Sequence, residues 1–138
     1  MAQDKQLLLQ VLSAMLPYGV VLQLSLWEEK TTDCRLTGID EDGYLTADVP
    51  ADCAFSVEDV KPYLRPMSSM TEEEKGELKK LSNEYLEDWT NSQTSIDKWK
   101  LDAKISYKRS VFYNSHYLDW NGLIELGLAL EAPEGMYL

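Results

Sequence analysis

Val57-Glu-Asp-Val-Lys-Pro-Tyr-Leu-Arg-Pro-Met-Ser-Ser-Met-Thr-Glu-Glu-Glu74 divides the chain into a half patterned for strands and a half patterned for helices. Pro62 and Pro66 each hold φ at about −65° and lack an amide donor. Each also pushes the residue before it, Lys61 and Arg65, toward extended backbone. Residues 61–66 are therefore expected to form a stiff extended crossing, with Tyr63 and Leu64 available to pack. Thr71 stands three residues before Glu74, the spacing of a capping box, in which each side chain satisfies the other residue's amide. Glu72, Glu73 and Glu74 place negative charge at the positive end of the helix dipole. The two prolines are four residues apart, one more than in the peptides that SH3-type grooves read, so a rigid connector is preferred to a docking peptide.

Upstream of this seam, Leu8, Val11, Leu12 and Met15 recur at helical spacing, with Leu9 and Leu16 widening the stripe, and predict a helix over 2–16 closed by Pro17. From Gly19 to Trp27 the pattern alternates: Val20, Leu22, Leu24 and Leu26 share one face of a strand. A second strand over 32–39 turns Cys34 and Leu36 inward. Asp40-Glu-Asp-Gly43 is a turn with Gly43 suited to a left-handed position. Residues 44–49 follow with Leu45, Ala47 and Val49 inward. Pro50-Ala-Asp52 turns again, Cys53, Phe55 and Val57 give a fourth inward set, and Val60–Leu64 a short fifth piece. Strands of this spacing suggest a curled antiparallel sheet or a small SH3-like barrel, with the first helix plugging one end.

Downstream, residues 72–89 predict a helix with Leu78, Leu81, Tyr85 and Trp89 on one side. Residues 95–104 are open to two readings. Trp99, Leu101, Ala103, Ile105 and Tyr107 alternate strictly, as in a strand, whereas Ile96, Trp99, Ala103, Tyr107 and Val111 fit one helical face. Helix is favoured from about 104 to 116. Asp119 or Asn121 can cap a short helix through Leu126, closed by Gly127. Residues 128–138 are expected to trail across the surface. The fold class is thus α+β in a single domain, 1–66 carrying the first helix and the sheet and 67–138 being mainly helical.

Composition narrows the function classes. A length of 138 residues with 44% hydrophobic content suffices for a real core and argues against global disorder. No apolar run approaches the roughly 18–20 residues of a membrane helix. Asp4 spoils the basic start of a signal peptide, so a cytoplasmic protein is expected. Cys34 and Cys53 make neither a disulfide framework nor a metal site and read as reduced core residues. The net charge of −11 is uneven: residues 28–59 hold ten Asp/Glu against Lys30 and Arg35, whereas 97–109 hold five Lys/Arg against Asp97 and Asp102. Phosphate binding needs a basic footprint, and this molecule as a whole repels one, so direct nucleic-acid binding is not expected. The asymmetry is met within the fold or across a contact between copies in a homo-oligomer.

Two stretches carry a resemblance. One is Lys61-Pro-Tyr-Leu-Arg-Pro-Met-Ser-Ser-Met-Thr-Glu-Glu-Glu74. The other is Asn114, His116 and Asp119 followed by Gly122-Leu-Ile-Glu-Leu-Gly-Leu-Ala-Leu-Glu-Ala-Pro-Glu-Gly-Met-Tyr137. Over roughly a third of its length the chain resembles a family of small uncharacterised proteins from gut bacteria and their phages or integrated elements. That family usually shows two histidines where this chain has Ser115-His116 or His116-Tyr117, and Asp-Tyr-Arg-Gly where this chain has Asp119-Trp-Asn-Gly122. The resemblance implies a mobile-element setting and no particular activity, cofactor or catalytic residue.

No nucleotide loop, zinc-protease, Cys-x-x-Cys or nucleophile-elbow motif is present. A single histidine rules out a multi-histidine metal site, and no cofactor is implied. His116 and Asp119 are the candidate catalytic residues, as a base with its orienter, against the blander reading of a structural hydrogen bond at a helix end. Cys34 with His116 would need the fold to bring them together. Aligning Asp40, Asp42 and Gly43 with a calcium loop puts Gly38 and Val49 at the first and twelfth ligands, where neither can serve. The leading expectation is a non-enzymatic module binding a host or phage protein, with Trp27, Tyr63 and Trp120 as aromatic anchors if exposed. The alternatives are an acidic anti-defence inhibitor imitating nucleic acid through 28–59, and an enzyme centred on His116 and Asp119.

Overall fold

The computed structural model describes residues 2–25, 29–49 and 54–137. The stripe of Leu8, Val11, Leu12 and Met15 is buried on α1 (Ala2–Met15) as the spacing predicts. Pro17 lies in a 3-10 turn, Leu16–Tyr18, that follows the helix. Gly19, at φ 66°, donates its N–H to the Leu16 carbonyl and turns the chain into the sheet. A β-carbon there would be strained by this φ and pressed against the Arg35 side chain.

Strands β1 (Val21–Ser25), β2 (Thr31–Ile39), β3 (Leu45–Ala47), β4 (Val60–Leu64) and β5 (Leu130–Glu131) form one sheet in the order β3-β2-β1-β4-β5. Leu22, at its centre, stands opposite Cys34 on one side and Pro62 on the other. Val20, Leu22, Leu24, Cys34, Leu36 and Leu45 turn inward onto α1. Burying each large aliphatic side chain contributes on the order of 1.5–3 kcal/mol. The Asp40 carboxylate accepts from the amides of Asp42 and Tyr44, and Gly43 takes φ 83°, closing the β2–β3 turn as expected. Leu26, Trp27, Pro50 and Cys53 lie outside the described residues. Of the fourth inward set, the described members are not in a strand: Phe55 makes only a bridge to Leu45, and Val57 belongs to a 3-10 turn.

The fold is α+β with an N-terminal helix, an open sheet and a helical C-terminal half. Of the two expected forms, an SH3-like barrel or a curled antiparallel sheet, the closed barrel is not formed: among the described residues β3 and β5 end the sheet without pairing to each other, and the sheet is mixed, β5 running parallel to β4. The tail that supplies β5 does not trail across the surface. Ala129 is buried, Ala132 donates its N–H to the Leu64 carbonyl, and Tyr137 stacks on Tyr117 with ring centroids 3.7 Å apart. The Tyr137 hydroxyl accepts from the Val21 amide at 3.0 Å and donates to the Tyr63 carbonyl at 2.6 Å. It thus stands where a direct bond would continue the β1–β4 ladder. Paired residues of an antiparallel ladder alternate in facing, so Pro62, one step on, turns its backbone away from β1. Its missing donor falls on the side that β5 joins only from Tyr63 onward, which is how a proline sits inside this sheet.

The second half is a helical hairpin. Thr71 and Glu74 form the capping box at the start of α2 (Glu72–Asn91), with bonds of 3.1 and 2.8 Å. Thr94 caps α3 (Ser95–Ser115), accepting from the Asp97 amide. Residues 95–104 are therefore helical. Successive alternate residues of a helix lie about 200° apart, so the alternating run splits between two faces: Leu101 and Ile105 face α2, while Trp99, Ala103 and Tyr107 face away. Tyr85 bonds Asp102, and Arg109 bonds Ser82, locking the pair antiparallel. Asp119 does not cap a helix. Its carboxylate accepts from the Leu123 and Ile124 amides at 2.7 and 3.0 Å and organises a run of turns, with Gly127 at φ 76°. No helix among the described residues is long and apolar enough to cross a membrane.

Tyr137→Phe is expected to lower stability by about 1–3 kcal/mol, because it leaves the Val21 amide and Tyr63 carbonyl without their partner. Urea unfolding measures the loss. Hydrogen exchange at Val21 should accelerate more than at Leu24, farther along the same strand.

Candidate functional site

A cleft of about 690 Å³ opens at the seam, where the end of β4, the start of α2, the end of α3 and the tail meet. Its inner wall is built on Arg65. The backbone of Arg65 donates to the Tyr117 carbonyl and accepts from the Asp119 amide, tying β4 to the segment after α3. Its guanidinium makes a fork-to-fork pair with Glu74, both bonds 2.7 Å, and also donates to the Ser69 and His116 carbonyls. Glu74 is 8% exposed yet fully partnered. The Arg65 bonds, aided by the Thr71 amide and by the nearby Arg65 and His116 charges, overcome the cost of burial and hold its carboxyl at about 2, well below the ordinary 4.5. Glu74 in turn raises the Arg65 guanidinium above its usual range.

His116 lies in this cleft, with Nδ1 2.9 Å from the Glu74 carboxylate and Nε2 3.8 Å from that of Glu77. Its ring tilts against Phe112 at 4.6 Å. Asp119 is not part of the cleft wall, and no hydrogen bond joins it to His116; both its oxygens serve backbone amides. The carboxylate that orients His116 is thus Glu74, which stays ionised across the neutral range and is poorly matched to carrying protons there. Cys34 sits in the core under the sheet, where burial, with Asp48 and Asp33 adding to it, pushes its thiol up to about 11. Among the described residues no three His, Cys, Asp or Glu side chains are placed to hold a metal ion.

The three proposed anchors fare differently. Trp27 lies outside the described residues. Tyr63 is half-buried, its hydroxyl donating to Asp33 at 2.8 Å and accepting from Gln23; burial, with Asp33, raises its pKa. Trp120 is 41% exposed, stacks on Tyr113, and donates its indole N–H to the buried Asn114.

A larger apolar surface lies elsewhere. On α3, Ile96, Trp99 and Tyr107 are 67%, 70% and 69% exposed, and Ala103 between them is also exposed. At 100° per residue these four fall within a sector of about 80°. That sector points away from α2, which α3 meets through Lys98, Asp102 and Arg109. No described residue covers it. The helical reading of this run contains the stripe, but the sequence alone does not say that the opposite face would be the one to pack. Comparison with protein-family models, with curated proteins and with solved structures finds no match for the chain.

The depressed Glu74 carboxyl fixes a pH dependence. The folded state releases the Glu74 proton more readily than the unfolded chain does, so the contribution to stability is complete above about pH 4.5 and is lost as pH falls toward 2. Glu74→Gln keeps the cap but not the charge. It should lower stability at pH 7 and flatten the decline between pH 4.5 and 2 relative to wild type, as read from urea midpoints across that range.

Proposed function

We propose that this protein is a non-enzymatic interaction module that binds a protein partner through the outer face of α3. The observation that carries this reading is the stripe of Ile96, Trp99, Ala103 and Tyr107, exposed on a helix whose other face is already packed. Folding has no use for apolar side chains on that second face. Contiguous exposed apolar surface on a globular chain marks an interaction site, and tryptophan and tyrosine are the residues that most often dominate binding energy. The partner is a host or phage protein, met in the host cytoplasm. That setting rests on the resemblance of 61–74 and 114–137 to proteins of gut-bacterial phages and integrated elements.

The placement of the acids favours this reading over imitation of nucleic acid. Asp40 and Asp59 accept backbone amides of turns, Asp48 accepts the Arg35 amide in the middle of β2, Asp33 holds the Tyr63 hydroxyl, and Glu58 pairs with Lys5. These carboxylates serve the architecture of the sheet rather than forming a free row along one face. The cleft at His116 supports the enzyme reading less well, because its inner carboxylate is committed to Arg65.

The test is capture from host lysate with the tagged protein at low and high salt, comparing wild type with Trp99→Ala and Ile96→Ala by mass spectrometry. A partner held by wild type at high salt should be lost from both variants, with affinity reduced at least about 30-fold, the scale of a hot-spot residue. Melting temperatures should stay close to wild type, since both side chains are largely exposed. An unchanged set of captured proteins in both variants would remove the α3 face as the site.

A further inference from the structure

Resting on the interaction reading above, we propose that the outer face of α3 receives an amphipathic helix whose flank is acidic. The shape argument comes from the stripe itself. Ile96 to Tyr107 spans about 17 Å of helix at 1.5 Å per residue, a straight row of side chains with no open backbone ladder beside it. Such a row packs against another helix, ridge into groove, through anchors spaced by three and four residues.

The charge argument comes from what borders the row. Lys100 and Lys104 project about 40° and 80° from Ile96 around the helix, along one margin of the stripe, and both are exposed. Neither forms an ion pair with a described residue. Asp88 and Asp97 line the shallow groove beside them, on the side toward α2, without reaching ion-pair distance. The opposite margin carries Ser106, with Asp102 beyond it engaged by the Tyr85 hydroxyl. A helix laid on the stripe therefore meets positive charge along one of its edges, which complementary carboxylates would satisfy.

The same two lysines argue against the other occupants. In an antiparallel two-fold pairing of α3 with a second copy, like margins meet, and Lys100 falls opposite Lys104 of that copy. An anionic bilayer would bring the whole molecule, net −11, within a Debye length of negative charge. A single helix, about 10 Å wide, meets only the α3 face.

The test is selection from a displayed library of helical peptides about 20 residues long, enough for a helix to persist, with a fixed apolar stripe and randomised flanks. The full chain is the bait and Trp99→Ala the counter-bait. Peptides enriched on wild type alone should carry Asp or Glu on one flank, and the consensus peptide should bind about tenfold more weakly to a Lys100→Glu/Lys104→Glu double variant by fluorescence anisotropy. Enrichment with no charge preference, or with basic flanks, overturns the acidic partner while leaving α3 as a docking face. No enrichment over the counter-bait overturns both. Dimerisation in light scattering, or sedimentation with phosphatidylglycerol vesicles, that wild type shows and Trp99→Ala loses assigns the face to a second copy or to a membrane and overturns this proposal.

Discussion

The forked pair between Arg65 and Glu74 sets the relation of the helices to the sheet. Arg65 directly follows β4 and bridges to Leu118, and Glu74 is the third residue of α2. The same carboxylate closes the capping box with Thr71 and lies against His116, the residue that ends α3. One ion pair thus fixes where α2 begins and where α3 stops. Burying two charges is expensive, and the attraction offsets that cost only when geometry is good and the remaining hydrogen-bonding capacity is filled. Here both guanidinium nitrogens that meet Glu74 also donate to a carbonyl, and both carboxylate oxygens accept more than one bond or contact. The pair therefore acts chiefly to select one arrangement among those that hydrophobic burial alone would allow.

That selection determines which face of α3 is free. With α2 held at its start and α3 at its end, the antiparallel hairpin has one inner seam, along which Leu81, Tyr85, Leu101 and Ile105 line a narrow groove. α1 touches α3, and just past the end of α3 Tyr117 packs against the core, accepts from the Arg65 amide and donates its hydroxyl to the Tyr18 carbonyl. Nothing described lies beyond Trp99. The side that remains open is consequently a product of the seam, not of local propensity.

Much of the architecture could be read from the chain because it depends on local chemistry. The stripe of α1, the inward set of β1 and β2, the Asp40 turn with Gly43, and the Thr71–Glu74 cap each rest on residues within a few positions of one another. Most of the misses involve distant partners. A barrel and an open sheet require the same short strands; the difference lies in Leu130 and Glu131 pairing beside Tyr63 and Leu64, about half the chain away. The tail is held by a hydroxyl inserted between two strands, which no periodicity announces. Arg65 was legible as extended backbone before a proline, but its side chain's partner was not. Asp119 showed the right capping chemistry, and the structure spends it on a turn because Gly122 and Gly127, both at positive φ, break helical continuity on either side.

The alternation over 99–107 failed as a strand signal for a reason that bears on function. Alternating apolar residues make one apolar face in a strand and two in a helix, and a helix at the edge of a fold needs only one. When the cap at Thr94 and the seam at His116 enforce the helix, the surplus face appears on the surface. Such a surface would ordinarily invite self-association. The net charge of −11 opposes that at long range, while Lys100 and Lys104 set positive charge along one margin of the stripe. On the proposed reading, repulsion between copies at long range and a local basic margin beside the exposed row of α3 would together favour a different, acidic partner over a second copy.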